Sequence, residues 1–145
     1  MTLKLNAYIS DIESIKRATF KGHAINAKPF LLLSILSCIQ QKLFQCNKIV
    51  LNKDLICIYK SISFLYLKRG YVLTPIHKPF YYLDSDGFWH LKWKDKKIDP
   101  QSLSLKFIYD NIDYAYFDED LWILLQENNA REKIKEVLIK IITND

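Results

Sequence analysis

The segment 30–44 is apolar on almost every side, and this feature limits most strongly how the chain can fold. A helix that is apolar all round is stable only when other elements surround it, so the segment predicts a central buried helix. Pro29 suits the first helical position, where a missing N–H removes no hydrogen bond. The longest apolar stretch, Phe30 to Ile39, contains two serines and is shorter than the roughly 20 residues that cross a bilayer. No membrane partner is expected.

The rest of the pattern predicts one mainly helical domain. The chain has 145 residues, half of them hydrophobic, which is enough for a single domain spanning 1–145 with its own core. Spaced apolar side chains predict helices over four further segments, which are 11–19, 53–69 (stopped by Gly70), 118–125 (capped by Asp118) and 130–142.

A β-hairpin is predicted in the middle of the chain. Residues 80–83 and 88–93 are rich in aromatic strand formers, and the turn 84–87 between them contains the Asp-Gly pair typical of hairpins. Segments 48–51 and 103–109 are interpreted as a β-like piece and as a short helix or strand. Together these features predict a mainly α fold with a β-hairpin, arranged as a winged-helix-like single domain.

Cysteine usage gives little chemical information. Cys38, Cys46 and Cys57 are widely spaced and form no C-x-x-C pair, so they are interpreted as small core residues. The three histidines show no metal-ligand spacing, and neither a metal site nor a cofactor is predicted. The first residues lack the basic-then-apolar layout of a signal peptide, which predicts a cytoplasmic protein.

No catalytic residue is predicted. The chain has only three glycines, too few for phosphate-binding fingerprints, and it contains no Gly-x-Ser-x-Gly elbow. Asp84 and the run Asp95-Lys96-Lys97 share residue types with metal-dependent nucleases, but both are more simply explained as turn residues. The chain by itself is therefore expected not to be an enzyme.

Charge is distributed unevenly along the chain. Residues 1–100 carry 16 Lys and Arg against 7 Asp and Glu, whereas residues 101–145 carry 5 against 9. An excess of positive charge on one part of the surface favours a polyanionic partner such as nucleic acid. A lysine-rich composition with an acidic, solubilising C-terminal helix is the alternative explanation.

Three segments resemble a known DNA-binding family. Ala27-Lys-Pro-Phe-Leu-Leu-Leu33 is similar to its helix start, which has a basic residue, a proline and a leucine run. Pro79-Phe-Tyr-Tyr-Leu-Asp-Ser-Asp-Gly-Phe-Trp-His-Leu91 resembles its hairpin motif, and Tyr116 to Leu125, followed by Arg131, resembles its C-terminal helix pair. In this order the segments resemble the sulfur-binding domain that precedes HNH nuclease domains in some modification-dependent restriction enzymes.

The resemblance implies recognition of phosphorothioated DNA, in which sulfur replaces one non-bridging phosphate oxygen. Sulfur is more polarizable and more weakly hydrated than oxygen, so its reader needs a small apolar cup beside cationic or N–H donors. By resemblance, the cup is formed by Ala27, Lys28, Lys78, Pro79 and Tyr82. Lys28 and Pro79 also have ordinary interpretations, as a solvated lysine and a strand-edge proline.

Further basic residues are candidates for contacts to the DNA backbone or bases. They are Lys16, Arg17, Lys21, His23, Lys92, Lys94, Lys96 and Lys97. Each phosphate contact would make binding more salt-dependent, and a solvated surface is the alternative for each residue. The N–H groups at the start of the central helix offer an additional phosphate-binding site.

The predicted partner is double-stranded, phosphorothioated DNA, bound in restriction or defence against foreign DNA. No HNH motif lies within the 145 residues, so cleavage is expected from a separate nuclease partner. Two alternatives remain open. The chain could be the recognition fragment or subunit of an HNH endonuclease, or a protein-interaction module that uses its acidic C-terminal helices.

Overall fold

The apolar segment forms the central helix of the domain, as predicted. In the computed structural model, which describes residues 2–144, this helix is α2 (Ala27–Gln40), and nearly all of its side chains are buried. Pro29 is its third residue and not its first, so the helix starts earlier than predicted. A proline in the first turn still removes no helical hydrogen bond, because those N–H groups have no acceptor within the helix.

The central helix ends at Gln40 and not at Phe44. Lys42 adopts a left-handed conformation with φ of 61°, and the Leu43 N–H donates to the Cys38 carbonyl at 2.8 Å. This is a Schellman cap, which usually has glycine at the left-handed position. The lysine gives no sequence signal for a helix end, which explains the wrong boundary.

The described residues contain seven α-helices, one 3-10 turn and two small antiparallel sheets. The other helices are α1 (Thr2–Glu13), α3 (Lys53–Tyr66), α4 (His77–Tyr82), α5 (Leu105–Asn111), α6 (Glu119–Leu125) and α7 (Asn128–Thr143). The 3-10 turn is Leu83–Asp86, and the strands are β1 (Thr19–Phe20), β2 (His23–Ala24), β3 (Trp89–Trp93) and β4 (Ile112–Phe117). Because α2 packs against α3, α4 and α7, and α1 against α6 and α7, the described residues form one mainly helical domain.

The β-hairpin predicted over residues 80–93 is not formed. Its first predicted strand is helical, since α4 continues directly into the 3-10 turn, which ends at Gly87 with a φ of 94°. Its second strand exists as β3 but pairs antiparallel with the distant β4. The helix places Phe80 in the core, where the Phe80 carbonyl accepts the indole N–H of the fully buried Trp89 at 2.9 Å. The hairpin of this fold is instead β1–β2.

Several other predicted elements are shifted along the chain. In place of the first predicted helix, 11–19, the structure has α1. The predicted helix 53–69 ends at Tyr66, and the predicted helix 130–142 begins earlier, at Asn128. The segment 103–109 takes its helical alternative as α5, and the segment 48–51 contributes one β-bridge, from Ile49 to Ala115. Of the three cysteines predicted in the core, Cys38 is buried, whereas Cys46 and Cys57 are exposed. Among residues 2–144, no helix is long and apolar enough to cross a membrane.

Asp118 precedes α6 as predicted, but its side chain does not cap the helix. One carboxylate oxygen accepts the Tyr8 hydroxyl at 3.0 Å, and the other lies 2.5 Å from Nε2 of His90. The carboxylate therefore joins α1, β3 and the start of α6.

This cluster predicts a loss of stability in alkaline solution. Burial, the hydrogen bond to Asp118 and nearby negative charges raise the pKa of Tyr8 to about 12. The folded state holds this proton more tightly than the unfolded chain, whose tyrosines titrate near 10. The stabilisation is complete below about pH 10 and is lost as the pH rises through about 12.

We expect urea unfolding midpoints to fall over this pH range, and to fall less steeply in Tyr8→Phe than in the wild type. Tyr114→Phe, which removes a hydroxyl from β4, is the matched control. An equally steep fall in Tyr8→Phe and Tyr114→Phe would contradict the role of Tyr8.

Candidate nucleic-acid interface

The five residues predicted to form the sulfur cup line one groove in the structure. Ala27, Lys28, Lys78, Pro79 and Tyr82 all contribute to a groove of about 560 Å³. Two of the predicted backbone contacts, Lys16 and Arg17, line the same groove. The groove therefore lies between the turn after α1, the start of α2 and the helix α4. Four basic side chains line its walls.

Two of these elements, α2 and α4, contain the same tripeptide in their first turn. Lys-Pro-Phe occupies the second to fourth helical positions both in α2, at 28–30, and in α4, at 78–80. Phe30 and Phe80 are both buried, and each donates its N–H to the carbonyl four residues earlier. The buried phenylalanines fix the two helix starts in the core, so that both lysines line the groove. This repeat is visible in the sequence, but it was not used in the sequence-based prediction.

Lys28 is not a freely solvated lysine. Its ammonium lies 2.6 Å from Oδ2 of Asp86. The side chains of Lys28 and Asp86 are only 12% and 2% exposed to solvent, respectively. The other oxygen of Asp86 accepts the backbone N–H of Lys16 at 2.9 Å. Asp86 therefore connects two basic walls of the groove. The Asp-Gly pair predicted a hairpin turn over 84–87, and the sequence carries no signal for this role of Asp86, because its contact with Lys28 spans 58 positions of the chain.

The start of α2 presents backbone donors to the groove. The Phe30 N–H donates to the Asn26 carbonyl at 2.9 Å, and Pro29 has no N–H, so the N–H groups of Ala27 and Lys28 lack a helical acceptor. No acidic residue lies in this first turn. The Asn26 side chain does not cap the helix and instead accepts a hydrogen bond from Arg17 at 2.7 Å. The positive end of the helix dipole therefore coincides with the basic groove.

The apolar part of the groove includes Pro79, Tyr82 and Ala27. Pro79 is the third residue of α4 and is buried, so the strand-edge interpretation is wrong. Tyr82 keeps about half of its surface exposed, at 51%, and its ring packs edge-on against Tyr81. A proline ring beside an aromatic face offers dispersion contacts to a polarizable atom.

Lys21 and His23 lie beside the groove, on the hairpin β1–β2. The Lys21 ammonium is 5.3 Å from the centre of the Phe20 ring, and the His23 ring contacts Tyr71 at 6.2 Å between centroids. Neither residue lines the groove. They belong to a neighbouring surface formed by the hairpin and the segment 67–75.

The lysine run after β3 lies outside the groove. Lys92 is on β3, and Lys94, Lys96 and Lys97 follow it in the loop. The Lys94 ammonium donates to the Tyr109 carbonyl at 2.6 Å, which ties it to α5. The structure thus separates the predicted backbone contacts into three groups, of which only the pair Lys16 and Arg17 lines the groove.

Comparisons with known proteins leave the family of this chain open. No family model matches the sequence, and a search of curated proteins finds no significant match. Within residues 2–144, no group of three or more His, Cys, Asp or Glu side chains is placed to hold a metal ion. The resemblance to the sulfur-binding domain therefore stays a prediction.

Proposed function

We propose that this chain is a DNA-binding module that recognises a phosphorothioate linkage in the DNA backbone. The observation that carries the proposal is the convergence of Ala27, Lys28, Lys78, Pro79 and Tyr82 on one groove. These residues come from segments about 50 positions apart, and the resemblance to the sulfur-binding domain implies all five. Their convergence supplies both halves of the required chemistry, an apolar cup and a set of cationic donors.

In this proposal the phosphorothioate lies between the start of α2 and α4. The N–H groups of Ala27 and Lys28 and the exposed Lys78 ammonium bind the non-bridging oxygen. The sulfur contacts the Pro79 ring and Tyr82. Lys28 adds the methylene part of its side chain to the wall, because its ammonium is held by Asp86.

We infer that β1–β2 is the wing of a winged-helix-like arrangement, in place of the segment 80–93. This hairpin lies directly before α2 in the chain and carries the exposed side chains of Lys21 and His23. In that position it can follow the DNA backbone beside the groove. Cleavage of the bound DNA, in restriction or defence, is assigned to a separate nuclease partner.

The experiment compares two duplexes that differ in one atom, with sulfur or oxygen at a single linkage. Burying about 50 Å² of weakly hydrated sulfur surface contributes about 1.3 kcal/mol at roughly 25 cal/mol per Å². This corresponds to about a tenfold tighter dissociation constant for the sulfur duplex, measured by fluorescence anisotropy.

Pro79→Ala removes the ring from the cup and is expected to abolish this preference while binding of the oxygen duplex persists. Pro100→Ala, in the loop before α5, is the matched control and keeps the preference. Equal affinity of the wild type for both duplexes would reduce the proposal to generic DNA binding. No binding at low salt would favour the protein-interaction alternative.

A further inference from the structure

A second cavity adjoins the groove and shares part of its wall. It measures about 270 Å³ and lies between the hairpin β1–β2, the start of α2 and the segment 67–75. Small-molecule sites of drug size span roughly 300–1,000 Å³. This cavity therefore suits a single small ring system.

The walls of this cavity include four aromatic side chains. Phe20, Phe30, Tyr66 and Tyr71 all line it. The Phe20 and Tyr71 rings pack edge to face, with 5.5 Å between their centroids, at the edge of the cavity. Phe20 keeps 43% of its surface exposed, with the Lys21 ammonium over its ring at 5.3 Å from the centroid. The exposed part of this ring is available for contact with a planar ligand.

The walls of the cavity are held in place without a ligand. The Tyr71 hydroxyl donates to the Phe20 carbonyl at 3.2 Å, which links the segment 67–75 to the hairpin. The hydroxyl of the buried Tyr59 donates to the Thr74 carbonyl at 2.7 Å, which links the same segment to α3. A preformed site avoids the entropic loss of ordering its walls when a ligand binds.

The cavity and the groove share a wall. Ile25, Ala27, Thr74 and Lys78 line both. A ligand that fills both spaces therefore needs an anionic group directly next to a planar ring. A nucleotide unit has this arrangement, with the phosphate in the groove and the base in the cavity.

We propose that the aromatic cavity binds an unpaired nucleobase next to the phosphate held in the groove. A paired base inside a duplex cannot enter, so the base is either single-stranded or turned out of the stack. Aromatic walls accept any base, because every base has a stacking face. The inference rests on the proposed function and adds that the recognised unit is a nucleotide and not the backbone alone.

The test uses single-stranded octanucleotides with one central phosphorothioate, in which each base flanking that linkage is removed in turn while the phosphates remain. We expect removal of one of these bases to weaken binding to the wild type by about 5- to 150-fold, the range of one base–aromatic stack. In Phe20→Ala and Tyr71→Ala, removal of the same base is expected to have no further effect. Phe64→Ala, an exposed aromatic of α3 outside the cavity, is the matched control and responds like the wild type.

The other outcomes separate the two proposals. If base removal weakens the wild type and Tyr71→Ala equally, the cavity does not hold the base, and the groove proposal is unaffected. If the duplex binds but the single strand does not, an unpaired base is not recognised. If neither probe binds at low salt, the proposed function fails and the nucleobase site fails with it.

Discussion

Asp86→Ala is expected to lower the free energy of unfolding by about 3–5 kcal/mol, the range found when one partner of a buried ion pair is removed. The substitution leaves the Lys28 ammonium in a site where only 12% of its side chain is exposed, with no carboxylate at 2.6 Å. It also removes the acceptor of the Lys16 N–H. Urea unfolding followed by circular dichroism measures the change.

Two further variants test whether the loss of stability in Asp86→Ala arises from burial of the Lys28 charge. Asp110→Ala breaks the Lys106–Asp110 pair, which is highly exposed and has a similar separation of 2.6 Å, and is expected to change stability by about 0.5 kcal/mol or less. Adding Lys28→Met to Asp86→Ala removes the buried charge and is expected to restore most of the loss. Equal small effects of Asp86→Ala and Asp110→Ala would show that Lys28 reaches solvent when its partner is removed.

The proposed DNA binding is expected to depend strongly on salt through the exposed lysines of the groove. Each lysine contact to phosphate adds about 0.9 to the slope of log affinity against log salt on duplex DNA. Lys16 and Lys78 line the groove with exposed side chains. The double variant Lys16→Gln, Lys78→Gln is therefore expected to reduce the slope by about 2 and to weaken binding most strongly at low salt.

Lys92→Gln with Lys96→Gln removes the same charge from the surface outside the groove and is the matched control. We expect this control to keep the slope of the wild type within about half a unit, since it removes no contact to a phosphate in the groove. The reverse result, a reduced slope only in the control, would place the DNA on the lysine run after β3. Both double variants change exposed residues and are expected to unfold within about 0.5 kcal/mol of the wild type.

Sequence patterns predicted the elements whose signals are local. The apolar segment at 30–44 specified the central helix, and the spaced apolar side chains of 53–69 placed the start of α3 at Lys53. The structure adds that the Asn52 side chain caps this start by accepting the Leu55 N–H. The end of α2 could not be predicted, because its left-handed residue is Lys42 and not glycine.

The wrongly predicted hairpin has a different cause. Residues 80–83 have high strand propensity, but tertiary burial of Phe80 and Leu83 outweighs this weak preference and gives a helix. The five residues that the resemblance assigns to the cup line one groove despite this error, because their proximity depends on which segments converge and not on their secondary structure. The contact of Asp86 with Lys28 depends on long-range packing, for which the sequence contains no periodic signal.

The pair Lys28–Asp86 also constrains how this protein can evolve. Loss of either charge alone leaves the other buried and uncompensated, whereas joint replacement by apolar residues is tolerated. Positions 28 and 86 are therefore expected to covary among homologues, although 58 positions separate them in the chain. Since the same aspartate holds the Lys16 backbone, a lineage that abandoned the pair would have to rebuild the turn after α1 as well.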